Sequence, residues 1–124
     1  MKLINPTDDE LNAAFAEKVA GWYVANKVHA LDKICYRSEK EYFEQPLCGT
    51  WPVPPFTRSM DAVLPWLNAP GWLWHISNDE IHTDKPFTAC VHRGLAEASA
   101  SDTNAPRACV IALLRANGVE VTFQ

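Results

Sequence analysis

Apolar residues recur at helical spacing in three separate segments of this chain. In the first segment, Leu11 and Phe15 lie on one face of a helix predicted over residues 8–20. Thr7 and Glu10 have the spacing of a capping box, in which the threonine side chain accepts from a first-turn amide and the glutamate reaches back to the cap. Local chemistry therefore fixes the start of this helix.

The second amphipathic segment predicts a helix over residues 59–67, with Ser59 as its N-cap. Its apolar stripe consists of Met60, Val63, Leu64 and Leu67. Pro65 interrupts the stripe, and a proline inside a helix removes one hydrogen bond and clashes with the preceding turn. We therefore expect a short or kinked helix.

The third segment predicts a helix over residues 105–117, with Pro106 in its first turn and Gly118 just beyond its end. Its predicted buried stripe consists of Cys109, Val110, Leu113 and Leu114.

Alternation of residues between two faces predicts two strands, at residues 72–77 and 87–92. Polar residues 78–86 lie between them, so we expect an antiparallel hairpin with a long loop. Small and polar residues 96–104 are interpreted as the lead into the third helix. The alternating tail, residues 119–123, either tucks against the core or adds an edge strand. The overall prediction is an α+β fold with a small antiparallel sheet and three helices packed around it.

A proline-rich segment, residues 45–56, is predicted to be a loop, because prolines deny the backbone donors that helices and central strands need. One or two short strands are expected before it, within residues 22–43. Rigid prolines can present an aromatic side chain to a partner, so Trp51 is a candidate binding anchor, with a lid over the sheet as the alternative. The candidate binding residues are Trp51, Pro52, Pro54, Pro55 and Phe56.

Composition indicates one globular domain over residues 1–124. The chain is 48% hydrophobic and 21% charged, which is typical of a folded domain with one core. A net charge of -4 and the absence of adjacent basic residues disfavour a nucleic-acid partner. No stretch has the apolar length of a membrane span or the pattern of a signal peptide, which predicts a cytoplasmic protein without a membrane partner.

Four cysteines occur without a C-x-x-C pair, which predicts free thiols in the cytoplasm. Cys90 and Cys109 are interpreted as small core hydrophobes. Alternation nevertheless places Cys90 and His92 on one strand face, and a paired strand could bring His75 beside them as a third zinc ligand. Strand histidines more often face solvent, and no familiar enzyme motif occurs. We therefore predict no metal, cofactor or catalytic residue, and keep these three side chains as the candidates should a metal bind.

Three pieces of sequence resemble a known family. They are Glu17-Lys18-Val19-Ala20-Gly21-Trp22, the segment from Phe56 to Leu67, and the terminal segment from Ala105 to Val121. In this order and spacing they are similar to the phage ABA sandwich domain, a family of small proteins of tailed phages and prophages. The resemblance implies helices on both faces of a small sheet, but it supplies no catalytic or ligand residue.

The resulting functional hypothesis is a phage- or prophage-encoded, non-enzymatic binding protein that acts on a host protein or a small host-made ligand and counters host defence. The alternative is a metal-dependent or Cys/His enzyme that uses the Trp72–His92 hairpin. A homo-oligomer is also left open. A nucleotide-like ligand would need cations that converge, from among Arg37, Arg58, Arg93 and Arg107.

Overall fold

The computed structural model describes residues 2–23, 35–38, 51–79 and 84–124. Within these residues the helices are α1 (Asp8–Lys18), α2 (Met60–Leu67) and α3 (Ala105–Ala116), with a 3-10 turn at Phe56–Arg58. All three helices lie where the apolar stripes predict them. The capping box of α1 is present, with the Glu10 amide 3.2 Å from Thr7 Oγ1 and the Thr7 amide 3.2 Å from Glu10 Oε1.

The other two helices also begin at polar caps. The Ser59 hydroxyl accepts from the Ala62 amide at 3.3 Å, which confirms the predicted start of α2. The helix is eight residues long with Pro65 inside it, and it ends at the Asn68 cap, so the expected short helix is confirmed. Asn104, which the sequence analysis did not identify as a cap, accepts from the amide of Arg107 at 3.0 Å and begins α3.

The strands form three small sheets in the described part of the chain. They are β1 (Lys2–Ile4), β2 (Trp22–Tyr23), β3 (Cys35–Ser38), β4 (Trp51–Pro52), β5 (Leu73–Asn78), β6 (Phe87–Arg93), β7 (Ala96–Asp102) and β8 (Glu120–Thr122). The sheet orders are β1-β8, β2-β3-β4 and β5-β6-β7. Strands β2 and β3 confirm the short strands expected before the proline-rich segment.

The principal sheet is antiparallel. Strand β5 pairs with β6 as predicted, with His75 opposite Cys90. Strand β7 then pairs with β6 along seven residues, with Ser99 opposite Cys90. Residues 96–104 were predicted only to lead into the third helix, and this strand within them was missed. Alanines alternate with glutamate and serine there, and the inner face of the strand packs against α3. The predicted fold class, α+β with three helices and a small antiparallel sheet, is confirmed.

The proline-rich segment is not entirely a loop. Trp51–Pro52 forms the edge strand β4, paired with Cys35 and Tyr36, and an edge position tolerates a proline because one side of the strand needs no ladder bond. Phe56 begins the 3-10 turn and is 2% exposed, with its ring centroid 4.4 Å from that of Phe15. The end of the predicted loop therefore belongs to the core.

The chain ends meet in the smallest sheet. Strand β8 pairs in parallel with β1, with Val121 opposite Leu3, so the tail forms the strand that was one of its two expected outcomes. Val119 and Val121 are each 3% exposed. The partner strand at the N-terminus has too little apolar alternation to be predicted from sequence.

Helix α3 is the centre of the core. Seven consecutive residues, Ala108 to Leu114, are buried, so this helix is enclosed on all sides and not only along its predicted stripe. It packs against β6 and β7 on one side and against α1, α2 and the 3-10 turn on others. The resemblance implies a second helix layer on the far face of the principal sheet, and no helix among the described residues covers that face.

Candidate functional site

The far face of the principal sheet is the candidate site, and it is called the outer face below. Strand alternation builds it, because Ala89, Val91 and Ala100 turn towards α3 and their neighbours must point the opposite way. The registers arrange the outer-face residues in three cross-strand rows. The rows are Leu73-His92-Glu97, His75-Cys90-Ser99 and Ser77-Thr88-Ser101.

The outer face is open to solvent. Most of its side chains are exposed, while Thr88 and Cys90 on the central strand are half-buried between their neighbours. Leu73 is 63% exposed. At the same end of the sheet, the turn between β6 and β7 presents Leu95, which is fully exposed. Two leucines are therefore exposed at this end of the sheet.

The structure brings the three candidate metal ligands onto one face. His75 lies directly opposite Cys90, and His92 follows two residues later on the same strand. Cys90 is a free thiol and half-buried on the outer face, so its interpretation as a core residue was wrong, since alternation with Ala89 and Val91 turns it away from α3. No three His, Cys, Asp or Glu side chains of the described residues are grouped, as they stand, so that they could hold a metal ion.

Within the part of the chain that the structure describes, the side-chain hydrogen bond on the outer face lies in the row Ser77-Thr88-Ser101. The hydroxyls of Thr88 and Ser101 lie 2.8 Å apart across β6 and β7. This bond ties the central strand to β7 and leaves the His75 and His92 rows at the other end of the face. The imidazoles of His75 and His92 therefore lie towards the end of the face where Leu73 and Leu95 are exposed.

The predicted binding loop is only partly described. Pro54 is half-buried and Pro55 is exposed, while Phe56 is held in the core and does not face a partner. The side chains of Trp51 and Pro52 lie outside the part of the chain that the structure describes. The anchor role of Trp51 stays a prediction.

Two of the four candidate cations converge. Arg107 Nε lies 2.9 Å from Asp8 Oδ1, and Arg58 Nε lies 3.5 Å from Asp8 Oδ2. Arg107 also donates through Nη1 to Asp102, whose side chain is 6% exposed. We call Asp8, Arg58, Asp102 and Arg107 the ionic cluster. Its carboxylates already supply the anions for the guanidinium of Arg107, which favours a structural role.

The ionic cluster lies where two helices begin. Asp8 is in the first turn of α1, and Arg107 is in the first turn of α3. A carboxylate at the first turn of α1 is favoured by the partial positive charge of the helix N-terminus. Asp102, at the end of β7, was missed from sequence because its partner Arg107 becomes adjacent only when the chain turns into α3.

The remaining candidate cations do not join the cluster. The guanidinium of Arg93 lies over the Trp72 ring, 4.6 Å from its centroid, a cation-π contact at the end of the principal sheet. Gly71, at φ +89°, passes so close that an added Cβ would lie 3.2 Å from Arg93 Cδ. The side chain of Arg37 lies outside the described residues.

No family model matches this chain, and no curated protein matches it. Among solved structures it is similar to the 2.0 Å crystal structure of a phage protein from Bacillus cereus ATCC 14579, with a TM-score of 0.71 and 9% sequence identity. The match covers 94% of this chain and 93% of that chain. At this identity the similarity shows a shared fold alone, so membership of the phage ABA sandwich family stays a prediction.

The longest helix among the described residues, α3, has 12 residues, and none of the described helices has the length and apolar character needed to cross a membrane.

Proposed function

We propose that this chain is a phage- or prophage-encoded, non-enzymatic binding protein that acts inside the bacterial host on a host protein or a small host-made ligand. The fold shared with a phage protein over 94% of the chain supports the phage origin. The open outer face supports the binding role. Countering a host defence system is the purpose that we assign to that binding.

Leu73 carries the choice of surface, because it is 63% exposed on β5, which pairs with β6 along its whole length. Burying an exposed leucine at an interface contributes about 1.5 to 3 kcal/mol. Leu95, fully exposed in the adjacent turn, adds a second apolar contact at the same end. Rigid strands hold Leu73, so little conformational entropy is lost when it binds.

The test is affinity capture from infected host lysate, followed by binding measurements with the purified partner. We expect Leu73→Asp to weaken the affinity at least tenfold, because a charge would replace an apolar contact at the interface. Mass spectrometry of the same preparation detects a co-purifying small ligand.

Ile4→Asp is the matched control. Ile4 is also an exposed apolar strand residue, 49% exposed, but it lies on β1 in a different sheet. It should leave the affinity unchanged. Equal losses of affinity in the two variants, or an affinity that Leu73→Asp leaves unchanged, would refute the assignment of the outer face as the binding surface.

A second candidate function is a metal-dependent or Cys/His enzyme. The observation that favours it is the placement of His75, Cys90 and His92 on one open face. A co-purified small molecule that the purified chain converts, and that the Cys90→Ser variant does not convert, would favour this candidate over the first.

A further inference from the structure

We infer that two copies of this chain join along β5, so that their principal sheets form one continuous antiparallel sheet. The contact is made by the β5 edge, meaning the side of that strand that faces away from β6. Among the described residues no strand pairs with this side of β5. An edge strand presents backbone donors and acceptors with which another extended chain can pair. The inference goes beyond the proposed function, because it concerns the purified chain without a host partner.

The register shows which backbone groups the β5 edge presents. The Asp79 amide donates to the Pro86 carbonyl oxygen at 2.8 Å, and this pair continues the ladder between β5 and β6 by one residue. Hydrogen-bonded and non-hydrogen-bonded pairs alternate along an antiparallel ladder, so the odd-numbered residues of β5 bond to β6. Trp74 and Ile76 therefore direct their amide and carbonyl groups away from β6, towards the β5 edge.

The opposite edge of the same sheet, on β7, is blocked by α3. By the same alternation the Ser99 carbonyl group points away from β6, and Arg115 Nη1 of α3 donates to its oxygen at 2.9 Å. Glu97, on the same strand, adds an exposed charge. A covering helix and charged side chains are two means by which proteins prevent strand addition at a sheet edge. The principal sheet can therefore be extended at β5 and not at β7.

The composition of β5 favours a second copy of the chain as the occupant. Leu73–Asn78 contains no charged residue, proline or glycine, and its register with β6 is unbroken. The whole chain has a net charge of -4, so two copies repel each other where their acidic surfaces meet. Pairing along β5 brings the copies together at an uncharged strand of each, where no like charges lie directly opposite.

A two-fold axis at His75 gives the most favourable register for this contact. Trp74 then lies directly opposite Ile76 of the second copy, and the same pair recurs on the other side of the axis. Aromatic and β-branched residues that lie opposite each other stabilise antiparallel strands. Moving the axis to Ile76 would instead place Trp74 opposite Asn78 and lose both pairs. One strand supplies both members of each pair, as an isologous C2 contact requires.

The apolar side chains at the β5 edge have exposed area that this contact can cover. Trp74 is 36% exposed, and Ile76 is half-buried against the core. A contact that is six residues long is small for a protein interface, so we expect a weak and reversible dimer.

The first experiment is sedimentation equilibrium of the purified full chain over a concentration series up to about 1 mM. We expect a monomer-dimer equilibrium. His75→Asp should raise the dissociation constant at least tenfold, because it places two carboxylates opposite each other at the two-fold axis. His75→Gln keeps this position neutral and should dimerise like the parent chain. Ser99→Asp adds the same charge to an exposed position on β7 and should also dimerise like the parent.

Disulfide cross-linking tests the register itself. At the two-fold axis the two copies of His75 form a non-hydrogen-bonded pair with Cα atoms about 4.5 Å apart, which is within the range of a disulfide. His75→Cys should therefore give a covalent dimer under mild oxidation. The change is made together with Cys90→Ser, because Cys90 lies directly opposite His75 within one copy. Ser99→Cys in the same background is the control and should not give this dimer.

Three results would each overturn the inference. They are a parent chain that stays monomeric up to about 1 mM, a dissociation constant that His75→Asp leaves unchanged, and equal cross-linking of His75→Cys and Ser99→Cys. The first of these would leave the β5 edge to an extended peptide of another protein. If His75→Asp lowers the unfolding midpoint of the chain, the comparison of His75→Cys with Ser99→Cys decides.

Discussion

Replacing Arg107 by alanine would leave a buried carboxylate without its cation. The Asp102 side chain is 6% exposed, and among the described contacts it would keep the hydroxyl of Thr103, 3.2 Å from Oδ1. Removing one partner of a buried ion pair costs about 3 to 5 kcal/mol, because the remaining charge is still desolvated. Arg107 is itself 23% exposed, so water reaches part of the vacated space, and we expect a loss of about 2 to 4 kcal/mol.

The loss should be asymmetric within the ionic cluster. Asp102→Ala leaves Arg107 with Asp8 and with partial access to solvent, so we expect a smaller loss of about 1 to 2 kcal/mol. Arg58→Ala is the matched control, because its side chain is 75% exposed and its contact to Asp8 is 3.5 Å long. An exposed pair of this kind contributes about 0 to 1 kcal/mol.

Urea denaturation followed by circular dichroism gives the free energy of unfolding for each variant. The double variant Asp102→Ala/Arg107→Ala completes a cycle, and it should be less destabilised than the sum of the single changes by about 1 kcal/mol or more. If Arg107→Ala costs no more than Arg58→Ala, or if the two changes are additive, the burial argument for this pair is wrong.

Further predictions concern the core helix and the loop. Leu113→Ala should cost about 2 to 5 kcal/mol, because Leu113 is 0% exposed and its truncation leaves a cavity; a loss below about 1 kcal/mol in denaturant midpoints would contradict this packing. Burial raises the pKa of the Cys109 thiol from 9.0 to about 11. The pKa of this thiol is higher in the folded state than in the unfolded state. Its contribution to the free energy of unfolding is therefore fully present below pH 9.0 and is lost as the pH rises to about 11, by about 2 to 3 kcal/mol in total. Cys109→Ala should remove this part of the alkaline slope in pH-dependent unfolding, and an unchanged slope would refute the assignment. Trp51→Ala should weaken partner or self-association by about 2 kcal/mol or more and barely move the melting temperature; a large loss of stability with binding unchanged would identify Trp51 as a lid.

Among the described residues, the guanidinium of Arg115 is bound by backbone carbonyl oxygens and not by a carboxylate. Its guanidinium donates to the carbonyl oxygens of Val121 and Ser99, at 2.8 Å through Nη2 and 2.9 Å through Nη1. Partial burial lowers the pKa of Arg115 from its usual value. These bonds join α3 to β7 and β8, a role that no local sequence pattern could indicate.

Local chemistry determined the helices of this protein. Thr7 and Glu10 cap the start of α1, and Ser59 caps the start of α2. In both helices a side-chain oxygen accepts from a first-turn amide that has no partner within the helix. Alternation likewise determined β5 and β6 and placed His75 and Cys90 on one face. In each case the controlling contacts lie within a few residues along the chain or follow from a fixed period, so the sequence alone was sufficient.

Contacts between distant segments decided the rest. Strand β7 consists of small and polar residues with weak strand propensity. It forms a strand because it pairs with β6 and packs against α3. Strand β1 exists through its pairing with β8 at the opposite end of the chain, and Asp8 meets Arg107 across 99 residues. Phe56 is in the core, not on a binding loop, because Phe15 packs against it. Such outcomes depend on the free energy of the assembled core, which no short segment contains, and so only the tertiary structure determines them.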